Sequence, residues 1–177
     1  LWKDNERFKA GYLNKFPGYY FSGDGGFKDD DDYIFITGRV DDVINVAGHR
    51  LSTAEMEEIV ASHHSVAECA VIGINDELKG QIPLALVVAK SGEDIEHFQL
   101  QHEVVKLVRE QIGAVASLRD VVIVQRLPKT RSGKILRKMM RSIADGEQFQ
   151  IPSTIDDEAI IDEIRDVLQH DKIGCFK

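Results

Sequence analysis

Two apolar runs constrain the fold of this chain more than any other feature of its sequence. Residues 66–74 and 83–89 are rich in Val, Ile, Leu and Ala, and the polar segment 75–80 separates them. Apolar runs of this length, bounded by polar residues, predict two buried β-strands. The longest uninterrupted apolar stretch, residues 84–89, is far shorter than the roughly 20 residues that a membrane-spanning helix needs. The sequence therefore predicts a sheet-containing folded domain without a membrane span.

Helical patterns surround these two strands. Ser52 and Glu55 form a capping box, and apolar residues follow at helical spacing up to about residue 63. Similar spacing predicts helices over 98–112, 135–146 and 157–169, and a further strand over 121–124. One face of the second helix is expected to be buried through Phe98, Val105, Val108 and Ile112. The order α-β-β-α-β-α from residue 42 onward predicts a small α+β module, a short sheet with flanking helices.

The first 40 residues have a different composition. Aromatic and β-branched runs over 19–21 and 33–37 lie on either side of an acidic cluster, residues 29–32, and this pattern predicts a β-hairpin. The chain opens without Met, and we expect it to be part of a longer protein. The predicted domains are residues 1–40, the end of a preceding large domain, then 41–145, a small domain, and 146–177, a helical tail.

The charge distribution restricts the class of ligand. The 177 residues carry 22 basic and 30 acidic side chains, a net charge of −8, which argues against a nucleic-acid binder. Residues 126–141 nevertheless hold seven basic residues and no acidic one. This segment indicates either a solvated helix face or a local anion site for a small phosphate ligand. The low cysteine content, Cys69 and Cys175, excludes a disulfide scaffold and favours a reducing compartment.

Three segments carry residue types that make little sense in a core. Residues 22–26 read SGDGG, and a carboxylate between glycines suits a vicinal diol such as that of a ribose. Residues 38–42 and 45–50 read GRVDD and NVAGHR, with two arginines suited to phosphate or ribose oxygens. Residues 128–137 read PKTRSGKILR and predict a flexible loop presenting Lys134; Ile135 after that lysine excludes a P-loop. Taken singly, each is also explained as a glycine-rich turn, a surface salt-bridge network or a solvated basic loop.

Taken together and in order, the three segments resemble the adenylate-forming superfamily. The patterns S/T-G-D, G-R-x-D-D-x-I-N-x-x-G-H-R and P-K-T-x-S-G-K-I-x-R are similar to those at the C-terminal end of its short-chain acyl-CoA synthetases, which include acetyl-CoA and propionyl-CoA synthetases. The resemblance runs over nearly the whole chain. It implies the small mobile C-terminal domain of that superfamily, preceded by a hairpin of the large domain.

The resemblance also implies a role for each motif residue. Lys134 would be the catalytic lysine of acyl-adenylate formation, and Asp41 would be the hinge of domain alternation. The ATP or AMP ligands would be Asp24, Arg39 and Arg50. The coenzyme A ligands would be Gly48, His49 and Arg109, with Gly48 lining the pantetheine tunnel and Arg109 facing the 3′-phosphate. No metal site is assigned to the chain itself, although His63 falls where the acetate enzymes place a metal.

The implied activity is an acid–thiol ligase that converts a carboxylate, ATP and coenzyme A to acyl-CoA, AMP and pyrophosphate. The acyl group is expected to be acetate or propionate, with Mg²⁺ required alongside ATP in the full-length enzyme. The remaining partner is the large N-terminal domain, without which we expect no activity, and the expected location is the cytoplasm or the mitochondrial matrix. Two alternatives stay open: another adenylate-forming enzyme, such as a medium-chain ligase or a peptide-synthetase adenylation domain, or a non-catalytic nucleotide-binding module.

Overall fold

The structure is a computed structural model that describes residues 2–40, 42–92 and 96–177. It divides into two compact units, Leu1–Asp42 and Val43–Lys177. The domain limits inferred from the sequence, 1–40, 41–145 and 146–177, stay a prediction.

The first unit consists of one helix and one hairpin. Helix α1 (Asn5–Tyr12) is capped by the Asp4 side chain, which accepts from the backbone N of Arg7. Strands β1 (Asp24–Lys28) and β2 (Ile34–Arg39) pair antiparallel, and the rings of Phe27 and Phe35 stack across them at 5.0 Å. A hairpin does enclose the acidic cluster as predicted, but its first strand is Asp24–Lys28 and not the aromatic run 19–21.

The first unit buries almost none of its apolar side chains. Gly23 is the one buried residue among those that the structure describes here. The exposed large apolar side chains are Trp2, Leu13, Phe16, Tyr19, Tyr20, Phe27, Tyr33, Ile34, Phe35, Ile36 and Val40. A patch of this extent is typical of a surface that another protein surface covers.

The second unit is built on a five-stranded sheet. Its elements are β3 (Val43–Val46), β4 (His49–Ser52), α2 (Thr53–Ala61), β5 (Val66–Asp76), β6 (Gly80–Ala89), α3 (His97–Gln111), β7 (Asp120–Ile123), α4 (Arg137–Asp145) and α5 (Ile160–His170). Strand β6 pairs antiparallel with β5 and β3 and parallel with β7, and β3 pairs with β4. Helix α3 makes the crossover between the parallel strands β6 and β7, as such a connection requires.

Successive side chains of the central strands point to opposite faces of the sheet, and each face carries one apolar cluster. From β6, Leu84 and Leu86 join α4 and α5, whereas Ala85 and Val87 join α2 and α3. All four side chains are fully buried. The two faces explain why the sequence of these strands is continuously apolar rather than alternating.

The sequence predicts most of these elements but not strand β4, and two of its predictions differ from the structure. Strand β5 continues to Asp76 and strand β6 begins at Gly80, so both strands are longer than predicted. The polar segment between them is a short turn within one hairpin. Phe98 is 78% exposed, so its predicted burial is wrong. The buried residues of α3 are Leu100, Val104 and Val108, and Phe98 precedes Leu100 by two positions, about 200° around a helix.

Candidate functional site

Asp24 and Arg39 face each other across the first hairpin. Asp24 begins β1, Arg39 ends β2, and the register pairs them directly. Arg39 Nη1 lies 3.3 Å from Asp24 Oδ1 and also donates to the Ser22 carbonyl at 2.9 Å. The side chains stay 39% and 45% exposed for Asp24 and Arg39. The structure thus brings together the two predicted ribose ligands and leaves both accessible.

Gly23 fixes the approach of Arg39 to this turn. Its φ is +83°, and a Cβ there would lie 2.7 Å from Arg39 Nη2. The Gly23 carbonyl accepts from Val40 N at 2.9 Å, which closes the end of the hairpin. The positive φ favours glycine at this position, and any larger side chain would also have to displace the Arg39 guanidinium. The adjoining cavity, about 260 Å³, is lined by Arg7, Gly11, Tyr12, Phe21, Ser22, Gly23 and Arg39.

Gly48 lies in the two-residue turn between β3 and β4. Ala47 and Gly48 have φ of +48° and +88°, and the flanking Val46 and His49 pair directly. Two positive φ values identify the type I′ turn that suits right-twisted hairpins and favours glycine. A Cβ on Gly48 would meet nothing within 4 Å. The backbone conformation explains this glycine, and the space beside it is open.

His49 and Arg50 follow in β4 and are both exposed. Arg50 pairs in register with Asn45, on the strand that precedes the turn. Within the described parts of the chain, neither side chain makes a hydrogen bond or ion pair, so both are available to a ligand. The predicted hinge residue, Asp41, lies outside the described residues.

Lys134 lies on a closed turn rather than on the flexible loop predicted from the sequence. Lys129 and Ile135 form an antiparallel bridge, and Thr130 N donates to the Lys134 carbonyl at 2.9 Å. Within the turn, Gly133 N donates to the Thr130 carbonyl at 2.8 Å, and Lys134 N donates to Thr130 Oγ1 at 3.1 Å. Gly133 has a φ of +84°, which this turn requires. The backbone of Lys134 is therefore held on both its N–H and its carbonyl.

The side chain of Lys134 is exposed, and most of its basic neighbours are neutralised. Four of the seven basic residues in 126–141 form ion pairs with Asp or Glu side chains. These four are Arg126, Lys129, Arg137 and Arg141. Arg131, Lys134 and Lys138 are exposed and have no carboxylate partner among the residues that the structure describes. The predicted anion site thus reduces to three accessible charges, of which Lys134 lies at the end of the turn.

Glu57 joins the C-terminal end of this turn to helix α2. Arg137, the first residue of α4, donates to Glu57 Oε1 at 2.8 Å and to Oε2 at 2.7 Å. Glu57 Oε1 also accepts from Val71 N in β5 at 2.8 Å. Such a two-pronged guanidinium–carboxylate contact fixes orientation as well as distance. The start of α4, three residues after Lys134, is therefore tied to both α2 and β5.

Arg109 lines a basic cleft at the end of α3. This cleft, about 270 Å³ in volume, is also lined by Lys79 and Arg119. Lys79 Nζ donates to Ser117 Oγ at 2.7 Å across the cleft. Sequence reasoning identified Arg109 but missed Lys79 and Arg119, because only the fold brings these distant positions together. Lys134, Arg109 and the β3–β4 turn lie on separate elements, with no hydrogen bond or ion pair joining them in the described chain.

His63 is buried and uses both ring nitrogens. Nε2 lies 2.9 Å from Glu103 Oε2, and Nδ1 accepts from Ser65 N at 3.3 Å. A hydrogen bond from Gln99, together with that from His63, holds the pKa of Glu103 below its usual value. Because these contacts occupy the imidazole, it does not present a free nitrogen to a metal. No group of three or more metal-binding side chains occurs among the described residues.

Part of this chain matches a known family of protein domains. The AMP-binding enzyme C-terminal domain family matches residues 55–134. An uncharacterized protein of Pseudomonas aeruginosa is 60% identical over 98% of this chain and 28% of its own length. The mitochondrial acyl-CoA synthetase short-chain family member 3 of Mus musculus is 48% identical over 96% of this chain and 25% of its own length. The chain therefore spans about a quarter of the length of these relatives.

A solved structure supports the fold. The amide bond synthetase McbA from Marinactinospora thermotolerans superposes with a TM-score of 0.67 at 30% identity, covering 80% of this chain and 28% of that one. This likeness confirms the predicted α+β architecture of a short sheet with flanking helices. No helix among the described residues is long and apolar enough to cross a membrane.

Proposed function

The chain belongs to the AMP-binding enzyme superfamily and contains its C-terminal domain, and from this premise we propose that it serves an ATP-dependent short-chain acyl-CoA synthetase. In the first step a carboxylate oxygen attacks the α-phosphorus of ATP, and the bond to pyrophosphate breaks. In the second step the thiol of coenzyme A attacks the acyl carbonyl and displaces AMP. The acyl group proposed is acetate or propionate, on the strength of the motif resemblance.

The observation that carries this proposal is the state of Lys134. Its backbone is held by hydrogen bonds on both sides, whereas its side chain is exposed and has no partner among the described residues. A surface lysine with only a solvating role needs no such closed turn. A catalytic lysine needs both properties, because it must deliver its charge to one place without competition from a local carboxylate.

Lys134 acts in the first step. Attack on the α-phosphorus develops negative charge on the phosphate oxygens, and an ammonium group placed there stabilises the transition state. The second step breaks the bond between the acyl carbon and AMP without attack at phosphorus. Less positive charge is therefore needed beside the phosphate in this step. The Lys134 ammonium is therefore required for adenylation and dispensable for thioester formation.

Asp24 and Arg39 bind the nucleoside. The Asp24 carboxylate accepts hydrogen bonds from the two ribose hydroxyls, and Arg39 holds it in place through the 3.3 Å contact while meeting the nucleotide itself. Arg50, exposed and unpaired within the described chain, meets the phosphate. ATP enters as its Mg²⁺ complex, and no residue of this chain is assigned to the ion.

The β3–β4 turn and the basic cleft bind coenzyme A in the second step. Gly48 leaves open space for the pantetheine arm, since a Cβ added at this position would have no atom within 4 Å, and His49 lies beside it. Arg109, with Lys79 and Arg119 in the same cleft, supplies three positive charges for the 3′-phosphate. Phosphate recognition by clustered guanidinium and ammonium groups follows their charge and hydrogen-bond geometry.

The test compares Lys134→Ala with the unmodified enzyme in the longer protein that contains this chain and its large domain. We expect acetate-dependent pyrophosphate exchange to fall about 10²- to 10³-fold, the usual cost of removing one charge-stabilising group. Lys138→Ala is the matched control, because Lys138 is also exposed and lies within the same basic segment. Near-normal exchange in Lys134→Ala would refute the proposal.

The second candidate is an adenylate-forming enzyme that transfers its acyl group to an amine. The likeness to an amide bond synthetase favours it. Both candidates share the first step and therefore the Lys134 result. Product analysis with coenzyme A and with amines as competing acceptors separates them, because a synthetase of thioesters ignores the amine.

A further inference from the structure

We propose that residues 154–157, here called the strap, position the Lys134 turn for catalysis. This inference rests on the proposed function, because it assigns a role in adenylation to a segment outside the recognised motifs. The strap lies about 20 residues beyond Lys134 in the sequence. It returns to form backbone contacts with the opposite leg of the turn.

The strap pairs with the first leg of the turn, residues 129–131, through a single β-bridge and two flanking hydrogen bonds. Arg131 N donates to the Thr154 carbonyl at 2.9 Å, and Asp156 N donates to the Lys129 carbonyl at 2.9 Å. Between them, Thr130 and Ile155 form an antiparallel bridge. One backbone hydrogen bond on each side of the Thr130–Ile155 pair holds residues 129–131 in register with the strap.

The strap itself is anchored at two residues, Ile155 and Asp157. The Ile155 side chain is 4% exposed and belongs to the apolar cluster that α4 and α5 share. Arg126 Nη2 lies 2.8 Å from Asp157 Oδ2 and 2.6 Å from Glu163 Oε1 in α5. These contacts tie the strap to α5 and to the residues that precede the turn.

Thr130 transmits this restraint to Lys134. Thr130 donates its N–H to the Lys134 carbonyl, and its hydroxyl accepts from Lys134 N. The residues on either side of Thr130 are hydrogen-bonded to the strap. A shift of the strap therefore moves Thr130, and a shift of Thr130 moves the backbone of Lys134. Rate losses from misplacement by about 1 Å reach a hundredfold in enzymes, so adenylation depends on this support.

Asp156→Pro and Asp156→Ala form a matched pair for the test. Proline removes the N–H that donates to the Lys129 carbonyl, whereas alanine keeps this N–H. The Asp156 side chain is exposed and makes no described contact, so alanine is neutral. Arg126→Gln is a second variant that weakens the other anchor without altering the backbone of the strap, and it carries the test if Asp156→Pro does not fold.

The first measurement is amide hydrogen exchange at Arg131, Gly133 and Lys134 in this chain. We expect exchange roughly three- to tenfold faster in Asp156→Pro than in Asp156→Ala, which corresponds to the loss of one backbone hydrogen bond. The second measurement is kinetic, in the longer protein. We expect a similar fall in kcat for pyrophosphate exchange with little change in the KM for ATP, and an unchanged rate of thioester formation from preformed acyl-adenylate.

The outcomes separate this inference from the proposed function. Normal pyrophosphate exchange in Lys134→Ala refutes the proposed function, and the amide exchange still tests the strap. If Lys134→Ala loses adenylation while Asp156→Pro and Arg126→Gln match Asp156→Ala, the strap has no positioning role. If the strap variants lower both half-reactions equally, the contact is only structural and the inference is overturned.

Discussion

The two units of this chain solve different physical problems. The second unit, Val43–Lys177, buries apolar clusters on both faces of its sheet. The first unit, Leu1–Asp42, presents aromatic and aliphatic side chains to solvent and has a single buried residue among those described. Hydrogen-bonded secondary structure does not by itself make a stable domain, because the main favourable term in folding is apolar burial. We therefore expect the first unit to need a covering surface, for which the proposed large domain is the candidate.

The largest expected effect contrasts apolar truncations in the two units. Leu86→Ala removes a side chain that is fully buried, and we expect a loss of about 2–5 kcal/mol in the free energy of unfolding. Ile36→Ala removes a side chain that is 66% exposed, and we expect a loss of less than about 0.5 kcal/mol. Urea unfolding of the chain followed by circular dichroism measures both. Equal losses would break the comparison.

The next effect contrasts one ion pair from each unit. Glu57 and Arg137 are 17% and 27% exposed and share two hydrogen bonds, so Glu57→Gln should cost about 1–3 kcal/mol. Asp24 and Arg39 are 39% and 45% exposed and meet at 3.3 Å, so Asp24→Asn should cost less than about 1 kcal/mol. The same urea titration serves both variants. A larger loss in Asp24→Asn would contradict this ranking.

The smallest effect is an acid sensitivity confined to the second unit. Arg126 hydrogen bonds hold the pKa of Glu163 below its usual value, and a hydrogen bond from Ala159 N together with Arg126 lowers that of Asp157. Lowered folded-state pKa values mean that this stabilisation is complete above the unfolded-state values of 4.5 and 3.8. It is lost as the pH falls through the folded-state values.

Arg126→Gln should therefore flatten the loss of stability between about pH 5 and pH 3. Lys28→Gln, which removes an exposed ion pair with Asp32 in the first unit, is the control and should leave the slope unchanged. Urea midpoints measured across this pH range provide the comparison. An Arg126→Gln slope equal to that of the unmodified chain would show that these carboxylates do not contribute.

The limits of sequence reasoning follow from the range of each interaction. Local signals correctly predicted where two helices begin or end. Ser52 accepts from Glu55 N at the start of α2, and Gly146 ends α4 with a φ of +69°. Phe98 was misplaced because apolar character does not tell which helix face meets the core. Lys79, Arg119 and the strap were missed because their contacts join residues far apart in sequence, which no local pattern records.

The site residues divide in the same way. Motif resemblance suggested roles for Lys134 and Gly48, and the structure adds the backbone contacts and dihedral angles around them. The turn around Lys134 was expected to be flexible, and it is closed through Thr130. Gly48 was assigned to a tunnel, and its positive φ supplies an independent need for glycine. A test of the tunnel must therefore separate side-chain bulk from backbone strain.

Asn is the substitution that makes this separation at Gly48. Asn tolerates positive φ better than other side chains, so Gly48→Asn adds bulk with little strain, whereas Gly48→Leu adds both. In Gly48→Asn we expect adenylation to be retained and thioester formation from preformed acyl-adenylate to fall about tenfold or more. Equal losses in both steps would indicate a folding role instead.

The most direct test of the central claim measures both half-reactions in Lys134→Ala and Gly48→Asn side by side, in the longer protein. The claim is that two separate turns of the second unit serve separate chemical steps. It predicts opposite patterns: Lys134→Ala loses pyrophosphate exchange and keeps thioester formation, whereas Gly48→Asn keeps the first and loses the second. The same pattern in both variants, whichever step is lost, would contradict the claim.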